Sequence, residues 1–351
     1  MIEDDIYRTS TQYRYWSFTP AQLSHLRQTT NDLASARVRH ALARAHGPSS
    51  NTSIETLTVS EELAIIAWGC EKILEIGASI KPVEVPMDIR CTAIQYLRRF
   101  YLTNSPMTYH PKQILACALY LATKSCHWHV SIGRYVAEVD GVEEELVKGP
   151  EFLLMQGLRF TLEVRHAVKG LEGGQVEMNQ LVKEKRLGGW SERRVNEAVK
   201  KARDILRGPA QMTDVYFLYT PSQIWLAALL VVDAELVHLY IEQKVGDSEN
   251  ILPIKDKLLS TITSCATILS SYTPPSDNPS HAKEMRRIGK KLHACQNPEK
   301  MDIVSALNEG KIKREGEDSE RDDKKAKKRK LEKEMRDRDA EVFGPELRSL
   351  K

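Results

Sequence analysis

The stretch YHPKQILACALYLATKSC, which runs from Tyr109 to Cys126, decides the fold of this chain. It predicts a helix in which Pro111 occupies the first turn, where a missing N–H does no harm. Small or apolar residues lie on all faces of this helix, and Lys124 stands near its end. A helix that is apolar all round is surrounded by other helices. The stretch therefore predicts the central helix of an all-α bundle.

A second copy of this stretch begins 110 residues later, where Tyr219 opens the sequence YTPSQIWLAAL. Tyrosine, proline, glutamine and isoleucine stand at matched positions in both copies. Thr220 and Gln223 predict a capping box in the second copy, and His110 is a weaker cap in the first. A chance match of two capped apolar helices is the alternative. The flanking helix pattern also repeats, which favours two copies of one helical unit.

Helix-period patterns continue on both sides, and strand signals are almost absent. Beyond residue 308 the chain is densely charged and has too few apolar residues to form a core. The predicted helices are 20–45, 60–80, 87–102, 110–125, 131–137, 143–158, 191–207, 220–241, 251–272 and 281–296.

Composition limits the class of protein. The chain has 351 residues, 41% of them hydrophobic, and a net charge of +3, which argues against a dedicated nucleic-acid binder. Its six cysteines are scattered without a C-x-x-C pair, as expected of core residues in a reducing compartment. We find no secretory signal and no apolar run of the roughly 20 residues that a membrane span needs. The sequence predicts a soluble intracellular protein.

Three stretches resemble matching segments of the cyclin family: RRFYLTNSPMTYHPKQILACALYLATK (98–124), EFLLMQGLRFTLEV (151–164) and MTDVYFLYTPSQIWLAALL (212–230). The resemblance extends over roughly 13–295. It is strongest to the cyclins of the CDK-activating kinase, which is also a module of the transcription factor TFIIH. It implies an all-α fold of two tandem five-helix cyclin boxes with flanking N- and C-terminal helices and a charged, flexible C-terminal tail.

The resemblance also implies the domain boundaries. Residues 1–57 form an N-terminal segment with a helix and a linker, 58–164 the first, kinase-binding box, and 165–273 the second box. A C-terminal helix follows at 274–298, and the charged tail spans 299–351.

Cyclins use a lysine at the end of the third helix of the first box and a glutamate at the start of the fifth to hold a mobile helix of the kinase. These residues correspond to Lys124 and Glu151, and the kinase-facing residues after them to Met155 and Leu162. A lysine at a helix C-terminus and a glutamate at a helix start are also favourable in themselves, so a purely local role stays open. For Leu162, ordinary core packing is an equal alternative.

The segment after the lysine, Ser125–His129, departs from the acidic residues usual in the family. Trp128 is a candidate interface anchor, with His127 beside it, because tryptophan is favoured at binding hot spots. Cys126, His127 and His129 are the only candidate metal ligands here, and no second ligand group follows at zinc spacing. We therefore expect no metal and no cofactor.

No phosphate-binding glycine loop, G-x-S-x-G or H-E-x-x-H motif is present, so we expect a regulatory subunit and not an enzyme. The resemblance implies that it binds and activates a cyclin-dependent kinase, with an assembly-factor third subunit and the TFIIH core as further partners. We expect no membrane and no direct nucleic-acid contact.

A basic cluster in the tail resembles a nuclear-import signal and predicts a nuclear protein, although a solvated charge run is the alternative. The cluster consists of Lys324, Lys325, Lys327, Lys328, Arg329 and Lys330. Two other functions stay open. One is a different transcriptional cyclin. The other is a TFIIB-like DNA-binding factor, against which stands the absence of cysteine from 1–57, where TFIIB carries a zinc ribbon.

Overall fold

A computed structural model describes residues 3–46, 54–81, 84–139, 142–187, 189–245, 252–274 and 280–298. Within these ranges the regular structure is helical and no strand occurs. The N-terminal helices are α1 (Glu3–Thr9), α2 (Thr11–Trp16) and α3 (Pro20–His46). Helices α4 (Val59–Ser79), α5 (Met87–Thr103), α6 (Pro111–Ser125), α7 (Ile132–Glu138), α8 (Glu144–Lys148) and α9 (Glu151–Gly157) follow. Next are α10 (Ala167–Lys183), α11 (Glu192–Arg207), α12 (Pro209–Met212), α13 (Val215–Leu218), α14 (Pro221–Val232), α15 (Ala234–Val245), α16 (Leu252–Ser270) and α17 (His281–Gln296).

Two helices form the centres of the two boxes. In the first box α6 packs against α4, α5, α8 and α9, and in the second α14 packs against α10, α11, α15 and α16. Alanines let the neighbours approach closely: Ala118 and Ala122 in α6 and Ala227 and Ala228 in α14 are fully buried. Each box has its own apolar core. The prediction of an all-α fold with two tandem boxes is confirmed.

The two central helices begin as the sequence predicts. Pro111 and Pro221 occupy their first turns. In the second copy, the Thr220 amide donates to Gln223 Oε1 at 3.0 Å and the Gln223 amide donates to Thr220 Oγ1 at 3.4 Å, which is a complete capping box. In the first copy, the cap is a histidine, and the Lys112 amide donates to His110 Nδ1 at 3.1 Å.

Two predicted helices are each divided. The helix predicted over 143–158 ends at Lys148 and restarts at Glu151, because Pro150 has no N–H to continue the ladder. The helix predicted over 220–241 is interrupted at Asp233, whose backbone is extended and whose carboxylate accepts from the Leu236 amide at 3.2 Å to start α15. Both single-helix predictions were wrong at these points, and α1 and α2 were not predicted at all.

The C-terminal helix α17 packs against the start of α4. Lys291 Nζ lies 2.8 Å from Glu61 Oε2 and 2.6 Å from Glu55 Oε1, and Arg287 contacts the other Glu61 oxygen at 2.6 Å. Burial alone would raise the pKa of Glu61, but bonds from Lys291, the Thr58 amide and Arg287 outweigh it and lower the pKa to about 2. This ion cluster fixes α17 to the first box. Among the described helices, none combines the length and apolar content that crossing a membrane requires.

Candidate functional site

The side chains of Lys124 and Glu151 form an ion pair at one end of the first box. Lys124 stands in the last turn of α6 and Glu151 opens α9, so the packing of α9 on α6 brings the charges together. The lysine side chain is 42% exposed and the glutamate 23%, and the ammonium also lies 5.1 Å from the centre of the Tyr120 ring. An exposed pair contributes about 0–1 kcal/mol to stability. Both charged groups therefore remain open to a partner at little cost to the fold.

The end of α6 gives His127 a local structural role. Its amide donates to the Lys124 carbonyl at 3.2 Å, and the Trp128 amide donates to the Thr123 carbonyl at 2.9 Å. His127 has a φ of 57°, the left-handed conformation that this helix-ending motif requires. The His127 side chain is exposed, whereas Trp128 packs partly against the first-box core. Trp128 thus offers less open ring surface than an exposed anchor would.

Met155 and Leu162 lie on α9 and just after it, both partly buried against the same core. Tyr96, fully buried on α5, connects this segment to the end of α6. Its hydroxyl donates to the Leu162 carbonyl at 2.7 Å and lies 2.9 Å from Ser125 Oγ. Burial raises the pKa of Tyr96 to about 12, so the hydroxyl keeps its proton. The structure therefore brings Lys124, Glu151, Met155 and Leu162 to one end of the first box.

Two exposed phenylalanines on α9 and the turn after it were missed in the sequence: Phe152 follows Glu151, and Phe160 follows the end of the helix. Phe152 is 65% exposed and Phe160 is 60% exposed, and their rings meet edge to face at 6.0 Å. Exposed apolar groups of this size often mark a binding surface. One signal existed: Phe152, Leu153 and Leu154 are consecutive in a helix, and three consecutive helical positions cannot all face one core.

The turn that follows α9 places Phe160. The Arg159 amide donates to the Gln156 carbonyl and the Phe160 amide to the Met155 carbonyl, both at 2.9 Å. Arg159 and Phe160 have φ values of 52° and 53°. A left-handed backbone costs about 1–2 kcal/mol for each residue other than glycine. Two such residues in succession are strained, and strain of this kind concentrates at functional sites.

These residues have the chemistry that a docked helix would need. The phenylalanines could supply apolar area, Lys124 could supply N–H donors for free carbonyls at a helix end, and Glu151 could supply an acceptor for amides. Within the described ranges no group of three metal-ligating side chains occurs. The basic cluster predicted at Lys324–Lys330 lies outside the described residues.

Comparisons with known proteins show the family of this chain. Residues 166–270 match the cyclin C-terminal domain. A chain of the solved CAK complex from Chaetomium thermophilum is 33% identical, with a TM-score of 0.75 over 92% of this chain and 99% of that one. A chain of the yeast TFIIK (Kin28/Ccl1/Tfb3) complex is 29% identical, with a TM-score of 0.59 over 75% of this chain and 100% of that one.

Cyclin-H from Xenopus laevis is 28% identical over 306 residues, which is 84% of this chain and 88% of that protein. Identity above 30% to a chain that is matched over almost its whole length, together with the domain match, decides the family. This chain belongs to the cyclin family, and proteins named cyclin-H are among its relatives.

Proposed function

We propose that this chain is the regulatory subunit that binds and activates the catalytic subunit of a CDK-activating kinase. As a module of TFIIH, that kinase phosphorylates the activation loops of cyclin-dependent kinases and the C-terminal domain of RNA polymerase II. One observation carries the proposal: Glu151 of the Lys124–Glu151 pair and the exposed Phe152 belong to the same helix, α9, in a chain similar to a component of a CAK complex along its length.

Activation follows from differential binding. A kinase is active when its mobile regulatory helix is turned inward and its own lysine–glutamate pair is formed. A partner that fits only this state shifts the population towards it. Moving the equilibrium from 1:99 to 99:1 needs about 5.5 kcal/mol of differential affinity.

The exposed apolar groups supply a large part of this free energy. Full burial of a phenylalanine side chain contributes about 1.5–3 kcal/mol, and Phe152 and Phe160 are 65% and 60% exposed, so together they contribute about 2–4 kcal/mol before the costs of association. The Lys124–Glu151 pair would then fix the register of the docked helix, because charged groups give specificity more than affinity.

The remaining assignments extend this function. The chain acts without catalytic residues of its own, and the phosphoryl-transfer groups belong to the kinase. An assembly-factor third subunit and the TFIIH core are its further partners; one solved relative is part of a Kin28/Ccl1/Tfb3 complex. We assign the protein to the nucleus, with the basic cluster that includes Lys324 and Arg329 as its import signal.

The test is co-expression of the full chain with a CDK-activating kinase catalytic subunit. We expect a co-purifying complex that phosphorylates peptides from a CDK activation loop and from the polymerase C-terminal domain. Binding to a different transcriptional kinase alone would favour the alternative of another transcriptional cyclin. A chain that binds no cyclin-dependent kinase but shifts promoter DNA would favour the TFIIB-like alternative.

A further inference from the structure

The N-terminal helix α2 packs on the turn that presents Phe160. Trp16, which is 1% exposed, donates from Nε1 to Thr161 Oγ1 at 2.9 Å. The Thr161 hydroxyl in turn donates to the Leu158 carbonyl at 2.7 Å. A chain of two hydrogen bonds therefore leads from α2 through the turn to the end of α9.

A second residue of α2, Gln12, contacts the chain four residues further on, at Arg165. Gln12 is fully buried, and its Oε1 accepts from the Arg165 amide at 2.8 Å and from Arg99 Nη2 at 3.0 Å. Arg99 also donates from Nη1 to the Glu163 carbonyl at 3.0 Å. Since Trp16 contacts residue 161 and Gln12 contacts residue 165, α2 fixes this segment at two points.

Two aromatic rings of α2 also lie within cation–π distance of an arginine side chain of the turn. The Arg159 guanidinium lies 5.6 Å from the Tyr15 ring centre and 5.7 Å from that of Trp16. Arg159 is the first of the two left-handed residues. The contact thus stabilises a backbone conformation that is unfavourable in isolation.

We propose that α2 is a brace that holds the 159–162 turn in its docking conformation, with Trp16 and Gln12 as positioning residues for kinase binding. This inference rests on the proposed function, since it concerns the same surface. Without the brace, the turn would leave its left-handed conformation for part of the time, and Phe160 would leave its place beside Phe152. The apparent affinity for the kinase is then the intrinsic affinity multiplied by the fraction of molecules whose turn keeps the docking conformation.

The first test uses the free full-length chain and needs no kinase. Trp16→Phe keeps most of the ring and removes the Nε1 donor, and Thr161→Val removes the acceptor. We expect amide hydrogen exchange at 159–163 to become about fivefold faster in either variant, as the loss of one hydrogen bond predicts. Trp190→Phe is the matched control, because Trp190 is a buried tryptophan of the second box that stacks on Arg194 at 3.5 Å.

The second test measures the dissociation constant for the kinase by titration. Trp16→Phe and Thr161→Val should weaken binding about fivefold, whereas Thr161→Ser, which keeps the hydroxyl, and Trp190→Phe should bind like wild type. If Trp16→Phe weakened binding only because a buried tryptophan had been replaced, Trp190→Phe would weaken binding as well.

Two results would overturn the proposal that α2 is a brace. One is unchanged amide exchange at 159–163 in Trp16→Phe, and the other is faster exchange there together with wild-type affinity for the kinase. A wild-type chain that binds no cyclin-dependent kinase would overturn the proposed function instead. The exchange comparison would still decide whether α2 holds the turn.

Discussion

Arg98 in the first box and Asp214 in the second form a largely buried ion pair, with Nη2 2.6 Å from Oδ1. The guanidinium also donates from Nη1 to the carbonyls of Gln211 at 2.6 Å and Thr213 at 2.5 Å. Arg27 of α3 contacts both oxygens of Asp214 at 2.7 Å. Helix α3 and both boxes therefore meet at the carboxylate of Asp214, which fixes the first box relative to the second.

Replacing Asp214 by asparagine should destabilise the protein by about 3 kcal/mol, because Arg98 is 9% exposed and would remain as a charge without its counterion. Burial alone would raise the pKa of Asp214, but Arg27 and Arg98 outweigh it and lower the pKa, so the carboxylate is charged at neutral pH. Urea unfolding measures the loss. Glu197→Gln, which removes the exposed partner of Arg193, is the control and should change stability by less than about 1 kcal/mol. Equal effects of the two variants would contradict the role of Asp214.

Lowering the pH should destabilise the folded protein through His166, which lies at the start of the second box. Its Nε2 lies 2.8 Å from Thr92 Oγ1 of the first box. Burial lowers the pKa of His166 to about 4; Asp88 opposes this shift, and Arg99 and Lys169 add to it. The unfolded pKa is about 6.5. Above pH 6.5 the imidazole is neutral in both states and costs the folded protein no stability. As the pH falls from 6.5 towards 4, the unfolded chain binds a proton that the folded chain does not, and the free energy of unfolding falls by up to about 3 kcal/mol.

The measurement is the free energy of unfolding between pH 7.5 and 4.5 for wild type and His166→Gln. Glutamine does not titrate in this range, so the variant should lose less stability on acidification, even if it is less stable at pH 7.5. Parallel curves for the two proteins would show that His166 does not cause the loss.

Phe160→Ser should weaken kinase binding while leaving the fold intact. The residue is 60% exposed, so loss of its buried part and of its edge-to-face contact with Phe152 should lower the free energy of unfolding by only about 1–2 kcal/mol. A buried hot spot at an interface contributes about 2 kcal/mol or more, which is roughly thirtyfold in the dissociation constant. Val176→Ser is the matched control, since Val176 is 73% exposed on the second box. Wild-type affinity in Phe160→Ser would exclude this ring from the interface.

His127→Gly should stabilise the protein by about 0.5–1 kcal/mol, since glycine adopts the left-handed conformation without strain. Lys185, with a φ of 57° at the end of α10, is the matched control, and Lys185→Gly should stabilise by a similar amount. If the imidazole of His127 contacts the kinase, as we predict from its place beside Trp128 in the sequence, only His127→Gly will lower the affinity. Unchanged affinity would leave His127 with the helix-ending role alone.

Local patterns predicted much of the fold. The repeat around Tyr109 and Tyr219 predicted the two central helices, because proline placement and small residues depend only on neighbouring positions. The division at Pro150 was also visible in principle, but the apolar period continues across it and outweighed the proline. At Asp233 the apolar helix period likewise continues. The break between α14 and α15 depends on the Asp233 carboxylate, which caps the start of α15.

Contacts between distant residues could not be predicted from periodicity. Arg98 and Asp214 are 116 positions apart, and Trp16 and Thr161 are 145 apart. The same holds for Phe160, whose exposure depends on two left-handed residues rather than on helix period. Lys124 and Glu151 came from the family resemblance, and their role in kinase binding stays a prediction.

The most direct test is to measure binding and activation of the kinase by the variant Lys124→Ala with Glu151→Ala. The control is Lys244→Ala with Glu177→Ala, which removes a lysine–glutamate pair 2.5 Å apart in the second box. We predict that wild type and control bind and activate the kinase, and that the first-box variant folds normally but binds at least about tenfold more weakly. A first-box variant that binds and activates as well as wild type would contradict this site.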